Sequence, residues 1–330
     1  MKVRTPHMQG LQFQSFGEAK DVLQLVELQE PPAPAKSEVQ IEMAYAPINP
    51  NDFLRIHSYL PNPPALPAIA GNEGLGHVVA VGDDVDTVKP GDRVILPLYS
   101  GTWRNRLNVP AQGLFALPAE ADPQQLAMLR INPSTAALLL SEFVTLKPGD
   151  WVVQNAANSG VGRAVIAIAK HRGFKTVNLV RRPELIGDLL EAGGDIVEVD
   201  APDGSMISDL HSGIEPKLAI DGVSASGTAR LARWLAPGAT LVGYAMMGGG
   251  RTPAADLDAI ASSGINLQSF YLGRKENAQK MQDVLQTSAQ LIAKGKLVQP
   301  IAATYPLKDY LQALAHARNG GKVQLDLRAR

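Results

Sequence analysis

The chain has 330 residues, 45% of them hydrophobic, enough to bury a large core and to build two domains. Its 31 Lys and Arg balance 32 Asp and Glu without a basic tract, which argues against nucleic acid or an anionic membrane surface as partner. Cysteine is absent, which removes disulfides, thiol nucleophiles and Cys-based zinc sites, and the six histidines (7, 57, 77, 171, 211 and 316) lack ligand spacing, so no metal is expected.

Residues 1–10, MKVRTPHMQG, lack the apolar core of a secretory signal and no span is long enough to cross a membrane, which gives the expectation of a cytoplasmic protein. The second methionine, Met8, leaves the start open. The first 120 or so residues are rich in short β-type runs, at 22–28, 38–45, 74–82 and 93–98, separated by Pro, Gly, Asn and Asp. From Pro123 helix and strand alternate. Helical segments at 124–129 and 136–143 precede strands near 151–155, 176–180, 195–200, 217–222, 239–244 and 266–272. Such alternation predicts an α/β fold with a doubly wound sheet. A long amphipathic helix at 277–294, a helix at 308–318 and an alternating strand at 322–327 follow; that last strand resembles the first domain and is expected to return to it. The expected division is 1–122 with 301–330 as a β-rich domain, and 123–300 as a nucleotide-binding domain.

Within the second domain, residues 152–173 read as a buried strand, a small-residue turn and an apolar helix stopped by Gly173. The turn Ala157-Asn158-Ser159-Gly160-Val161-Gly162 has small residues where the dinucleotide fingerprint has glycines, so backbone can approach a pyrophosphate on the helix N-terminus. The next strand ends in Arg181-Arg182, about twenty residues on, where an NAD enzyme places an acid. A guanidinium forks onto the oxygens of a 2′-phosphate, so the cofactor expected is NADPH; a solvated arginine pair is the plainer alternative. The loop 246–251, Met-Met-Gly-Gly-Gly-Arg, lies after the fifth strand, either folding over a nicotinamide or forming a mobile surface turn.

At Asn49-Pro50-Asn51-Asp52, Gly71-Asn72-Glu73-Gly74, Ser100-Gly101-Thr102-Trp103, Ile131-Asn132-Pro133-Ser134-Thr135-Ala136 and the turn ending at Gly162, the chain resembles the medium-chain dehydrogenase/reductase superfamily. Within it the chain is most similar to the mitochondrial-type 2-enoyl thioester reductases, and next to the quinone oxidoreductases. The resemblance implies a GroES-like catalytic domain plus a Rossmann domain, a homodimer, and NADPH as cofactor. Zinc enzymes of the superfamily have a histidine where Asn72 stands, and cysteine ligands that this chain lacks. The implied reaction is therefore one without a metal: hydride addition to a conjugated double bond, with charge gathering on the carbonyl oxygen and a donor protonating the α-carbon.

In the resembling reductases that donor is a tyrosine, and here the matching loop offers Tyr59, one residue before the matching position, Leu60. A phenol is protonated at neutral pH and can donate. His57 is the rival acid, sharing a face with Tyr59 if the loop is a strand, and an aromatic packed under Pro61-Asn62-Pro63-Pro64 is the plain alternative. By the same matching Asn132 meets the nicotinamide side of the cofactor, or caps a helix; Tyr244, Met247 and Phe270 flank the nicotinamide; Lys322 meets a cofactor phosphate, or is a solvated strand-edge lysine. Trp103 walls the substrate channel or packs in the core, and Arg104, Arg106 and Arg130 are candidates to attract an acyl carrier. Three functions stand: an enoyl thioester reductase, a reductase of quinones or enones, and a non-catalytic NADPH-binding protein. The partner expected is a small-molecule substrate (enoyl thioester, enone or quinone).

Overall fold

The computed structural model describes residues 8–201 and 213–328. Of the histidines weighed as metal ligands, His7 and His211 lie outside the described residues. The chain divides into two units, the first made of the described residues of 1–131, 285–295 and 299–330, the second of 132–284 and 296–298. The first boundary falls later than residue 122. The short helix Pro123–Leu126, capped by Asp122 on the amide of Gln124, belongs to the first unit, where Gln124 O accepts from Gln324 Nε2 at 2.7 Å.

The first unit is built on a seven-stranded sheet in which Ile301–Pro306, Lys322–Asp326, Glu38–Ile48, Leu75–Val81, Arg93–Ile95 and Phe115–Ala116 are successive neighbours and Arg106–Pro110 also pairs with Glu38–Ile48. A second sheet joins Leu23–Leu28, Met8–Phe13 and Ala68–Ile69. Alternation in Glu38–Ile48 turns Val39, Ile41 and Met43 into a core shared with Leu11, Phe13, Trp103, Val323 and Leu325. The strand Lys322–Asp326 does return to this unit, antiparallel to Glu38–Ile48, with Val323 opposite Ile48. Arg93–Ile95 ends before Pro97, which has no amide to donate to a ladder. The segment Pro50–Ile56 is a helix and not part of a strand, because Asn49 and Asp52 close a reciprocal capping box around Pro50.

The second unit is a six-stranded parallel sheet with the spatial order Ile196–Val199, Lys175–Val180, Trp151–Gln154, Pro216–Asp221, Thr240–Gly243, Asn266–Ser269. In chain order this is 3-2-1-4-5-6, the doubly wound arrangement, whose order reverses between Trp151–Gln154 and Pro216–Asp221. Parallel strands covered on both faces read as unbroken apolar runs, as Val152, Val153, Leu218, Ala219 and Ile220 do, each with no exposed area. The helix Gly160–Arg172 ends at Gly173 in the left-handed region (φ 77°), with Lys170, His171 and Arg172 in its last turn, where cations suit the helix dipole. It packs on Asn132–Glu142, whose residues from Asn132 to Leu140 are all buried. The last strand stops at Ser269, so Phe270-Tyr271-Leu272 lies beyond the edge of the sheet.

Candidate active site

A candidate nucleotide site lies at the carboxyl edge of the parallel sheet of the second unit, where the strand order reverses. Ser159 caps the helix Gly160–Arg172, its Oγ accepting the amide of Gly162 at 3.1 Å, while its own amide bonds Ala156 O at 2.9 Å. Of the amides that a helix start leaves without an internal partner, those of Gly160 and Val161 remain for an anion. Gly162 is required for the approach of helix and strand: a Cβ there would meet Ala157 O at 2.4 Å. Gln154 fixes the same turn by donating to Gly162 O at 2.9 Å. Asn158 is exposed at the tip of the turn, and Arg181 and Arg182 are exposed at the end of Lys175–Val180, Arg182 only loosely paired with Glu184 at 3.6 Å.

Across the reversal, Asn155 donates to Asp221 Oδ1 at 2.7 Å and accepts the amide of Gly222 at 2.8 Å. Asp221 Oδ1 also accepts from the amides of Val223 and Ser224, and Thr228 donates to its other oxygen. The two strand ends are thus tied into one rigid floor. Above it Tyr244 bonds Ser159; burial pushes its phenol up to about 12. Met247 is 43% exposed, yet a Cβ on Gly222 would lie 3.0 Å from its Cε, so its end turns toward the floor. Phe270 is buried edge-on against Phe143 with ring centroids 6.2 Å apart. Asn132 is buried at the start of its helix. The second unit therefore gathers Ser159, Gly160, Val161, Gly162, Tyr244 and Met247 around one sheet edge. These residues fit a dinucleotide.

The first unit carries a buried polar cluster. Asp52 accepts the amide of Asn49 at 2.7 Å and that of Asn72 at 2.9 Å; Glu73 accepts from Asn49 Nδ2 and from the amide of Ile131, both at 2.8 Å. All four carboxyl oxygens accept, which suits the ionised forms, but burial works the other way and lifts both groups to about 7. Lys322 Nζ donates to Asn49 Oδ1 at 2.6 Å, and burial lowers its ammonium against the pull of Glu73 and Asp52. It is no solvated strand-edge lysine. Both polar atoms of the Asn72 side chain are buried without a partner. Asp52 and Glu73 stand in the sequence only as parts of motifs, and no role was read for them or for the Asn155–Asp221 pair, although the Asn-x-x-Asp spacing of a capping box and an acid closing the fourth strand are readable signals.

Tyr59 is 72% exposed, so it is not packed beneath the proline run. The loop is not a strand, yet Tyr59 and His57 meet, stacked with centroids 5.0 Å apart and planes at 6°. Trp103 is fully buried and belongs to the core. The three arginines weighed as carrier attractors are committed within the fold: Arg130 donates to Gly113 O at 2.8 Å, Arg104 to Gly101 O at 2.9 Å, and Arg106 pairs with Glu30 and Glu42.

Residues 35–119 match the alcohol dehydrogenase GroES-like domain and residues 211–323 the zinc-binding dehydrogenase family. The residues present do not fit a zinc site: the chain has no cysteine, Asn49 and Asn72 offer neutral amides, and the described residues hold no group of three His, Cys, Asp or Glu able to bind a metal. The mitochondrial enoyl-[acyl-carrier-protein] reductase of Rattus norvegicus is 38% identical over 323 residues, covering 93% of this chain and 85% of the relative. Among solved structures, the 2-enoyl thioester reductase of Candida tropicalis in complex with NADP and crotonyl-CoA is similar at a TM-score of 0.84 and 25% identity, covering 97% and 99% of the two chains. The quinone oxidoreductase of Escherichia coli complexed with NADPH is similar at a TM-score of 0.84 and 25% identity, covering 96% and 99%.

The cytoplasmic location expected from residues 1–10 is contradicted, since the curated relatives of rat, mouse, human and Dictyostelium are mitochondrial proteins. An apolar core is the mark of a secretory signal, whereas mitochondrial addresses are amphipathic and basic, so the lack of an apolar core in residues 1–10 does not bear on them. The doubly wound sheet, the two matched dehydrogenase domains and these relatives agree: the chain belongs to the medium-chain dehydrogenase/reductase superfamily and, within it, to the family of the mitochondrial-type enoyl-[acyl-carrier-protein] reductases.

Proposed function

We propose that this chain uses NADPH to reduce the carbon–carbon double bond of a trans-2-enoyl thioester. The observation that carries the reading is the near-full-length identity with enoyl-[acyl-carrier-protein] reductases, joined to a capped helix N-terminus and an exposed arginine pair that suit NADPH. The bound cofactor supplies hydride. The amides of Gly160 and Val161 receive the pyrophosphate, with Asn158, Ser159 and Gly162 shaping the turn, and Arg181 with Arg182 takes the 2′-phosphate. Tyr244, Met247, Phe270 and Asn132 bound the nicotinamide and exclude water from it. Tyr59 donates the proton to the α-carbon as charge leaves the carbonyl oxygen. Lys322, with its ammonium on Asn49, serves as counter-charge for the buried carboxylates in place of a phosphate ligand.

A second reading, NADPH:quinone oxidoreductase, is favoured by the equal structural likeness to quinone reductases. A reduced quinone takes its protons from water and would leave Tyr59 without a role. The terminal strand Asn266–Ser269 leaves one edge of its sheet open among the described residues, which supports pairing with a second copy there.

The test is NADPH oxidation by the purified protein with a chelator present, on crotonyl-CoA and on a small quinone, each repeated with NADH. Turnover of crotonyl-CoA with NADPH supports the thioester reading; turnover of the quinone alone moves the chain to the second; silence with both leaves nucleotide binding without chemistry.

A further inference from the structure

We propose that His57 is a positioning residue for Tyr59, holding the phenol in the direction from which it delivers its proton. The inference rests on the reading of Tyr59 as proton donor. The helix Pro50–Ile56 ends at His57, whose amide bonds Phe53 O at 3.0 Å. Ser58 then takes a left-handed backbone (φ 64°), and the chain folds back so that the Tyr59 amide reaches Leu54 O at 2.8 Å. This turn brings residues two apart face to face, with the imidazole and the phenol ring parallel to within 6° at 5.0 Å.

The imidazole is itself held. Its Nε2 lies 3.0 Å from Glu18 Oε1, Glu18 pairs through its other oxygen with Arg318, and the Arg318 guanidinium sits 5.1 Å over the ring of Phe53 on the same helix. The line Phe53, Arg318, Glu18, His57 therefore closes on the helix it starts from and ends on a donor ring that is otherwise 72% exposed. An exposed tyrosine has two free torsions, and a fixed aromatic neighbour restricts both. Proton delivery requires the hydroxyl within about 3 Å of its target, so this restriction acts on the chemical step and not on substrate affinity.

The experiment measures single-turnover NADPH oxidation and KM for crotonyl-CoA in the full chain with His57→Ala, His57→Phe, Glu18→Gln and Tyr59→Phe. The expected result is a fall of about three- to tenfold in the chemical rate for His57→Ala with KM within about twofold, recovery in His57→Phe, which keeps the stacked ring, and a smaller loss in Glu18→Gln. Full activity in His57→Ala beside a dead Tyr59→Phe overturns the positioning role while leaving the donor in place, as does a His57→Phe no better than His57→Ala. Full activity in Tyr59→Phe removes the donor reading itself.

Discussion

Lys322 and Asn49 stand 273 positions apart, and their side chains meet at 2.6 Å. The contact joins the returning C-terminal strand to the capping residue of the helix Pro50–Ile56, and it places an ammonium beside two buried carboxyls. Removing either member of such a cluster strands the other, whereas water would have solvated both.

Glu73→Gln tests that dependence. The glutamate accepts from Asn49 Nδ2 with one oxygen and from the Ile131 amide with the other. A carboxamide keeps one acceptor and turns its NH2 on the second donor. The expected cost is about 1–3 kcal/mol in urea unfolding, that of a buried donor left unsatisfied. An unchanged midpoint would mean the cluster is open to water.

The same carboxyls give stability a pH slope of definite sign. Burial raises Asp52 from 3.8 and Glu73 from 4.5 to about 7 in the folded chain. Between about pH 4 and 7 the folded chain holds protons that the unfolded chain has released, so these groups remove stability as pH rises through that window and add no slope above it. Glu73→Gln is expected to lose less stability than the parent chain on going from pH 5 to pH 8. Equal losses, read from urea midpoints at the two values, would contradict the assignment.

Cofactor preference is expected to rest on Arg181. It is exposed at the end of its strand and, among the described residues, has no acid paired to it, whereas Arg182 lies 3.6 Å from Glu184. Arg181→Glu should repel a 2′-phosphate and lower kcat/KM for NADPH by about tenfold or more, with NADH little changed. A parallel loss with both cofactors would point to damage at the turn instead.

The doubly wound sheet was legible, though not its strand order, because its central strands are apolar runs and because a small-residue turn and Gly173 bracket one helix. The fate of the arginines was not: the sequence offers Arg130 and Arg106 as candidates to attract a carrier, and only tertiary contacts commit them to Gly113 O and to Glu30. Local pattern also failed at 53–60, where Ser58 adopts a conformation that its identity does not announce. Among the described residues the non-glycine positions of positive φ are Ser58, Asn62, Tyr99, Ala156, Ser224 and Ala225. Ala156, Ser224 and Ala225 flank the candidate nucleotide edge and Ser58 and Asn62 flank Tyr59, so these strained positions lie next to the candidate residues, where propensity is the poorest guide.

Gly162→Ala should separate packing at the turn from the rest of the fold. The added Cβ would meet the O, C and Cα of Ala157 at 2.4, 2.6 and 2.6 Å, and because these are backbone atoms the helix start must move. That movement carries with it the amides of Gly160 and Val161 and the Gln154 bond to Gly162 O. The expected outcome is a loss of about 1–3 kcal/mol in stability and at least about tenfold weaker NADPH binding by fluorescence titration. Gly187→Ala is the matched control, since it lies in the helix Ile186–Glu191 with nothing within 4 Å of its Cβ. It should be neutral or stabilising by about 0.5–1 kcal/mol with NADPH affinity unchanged. Weakened binding in both variants would trace the effect to the fold as a whole; weakened binding in Gly162→Ala alone places the pyrophosphate at this helix.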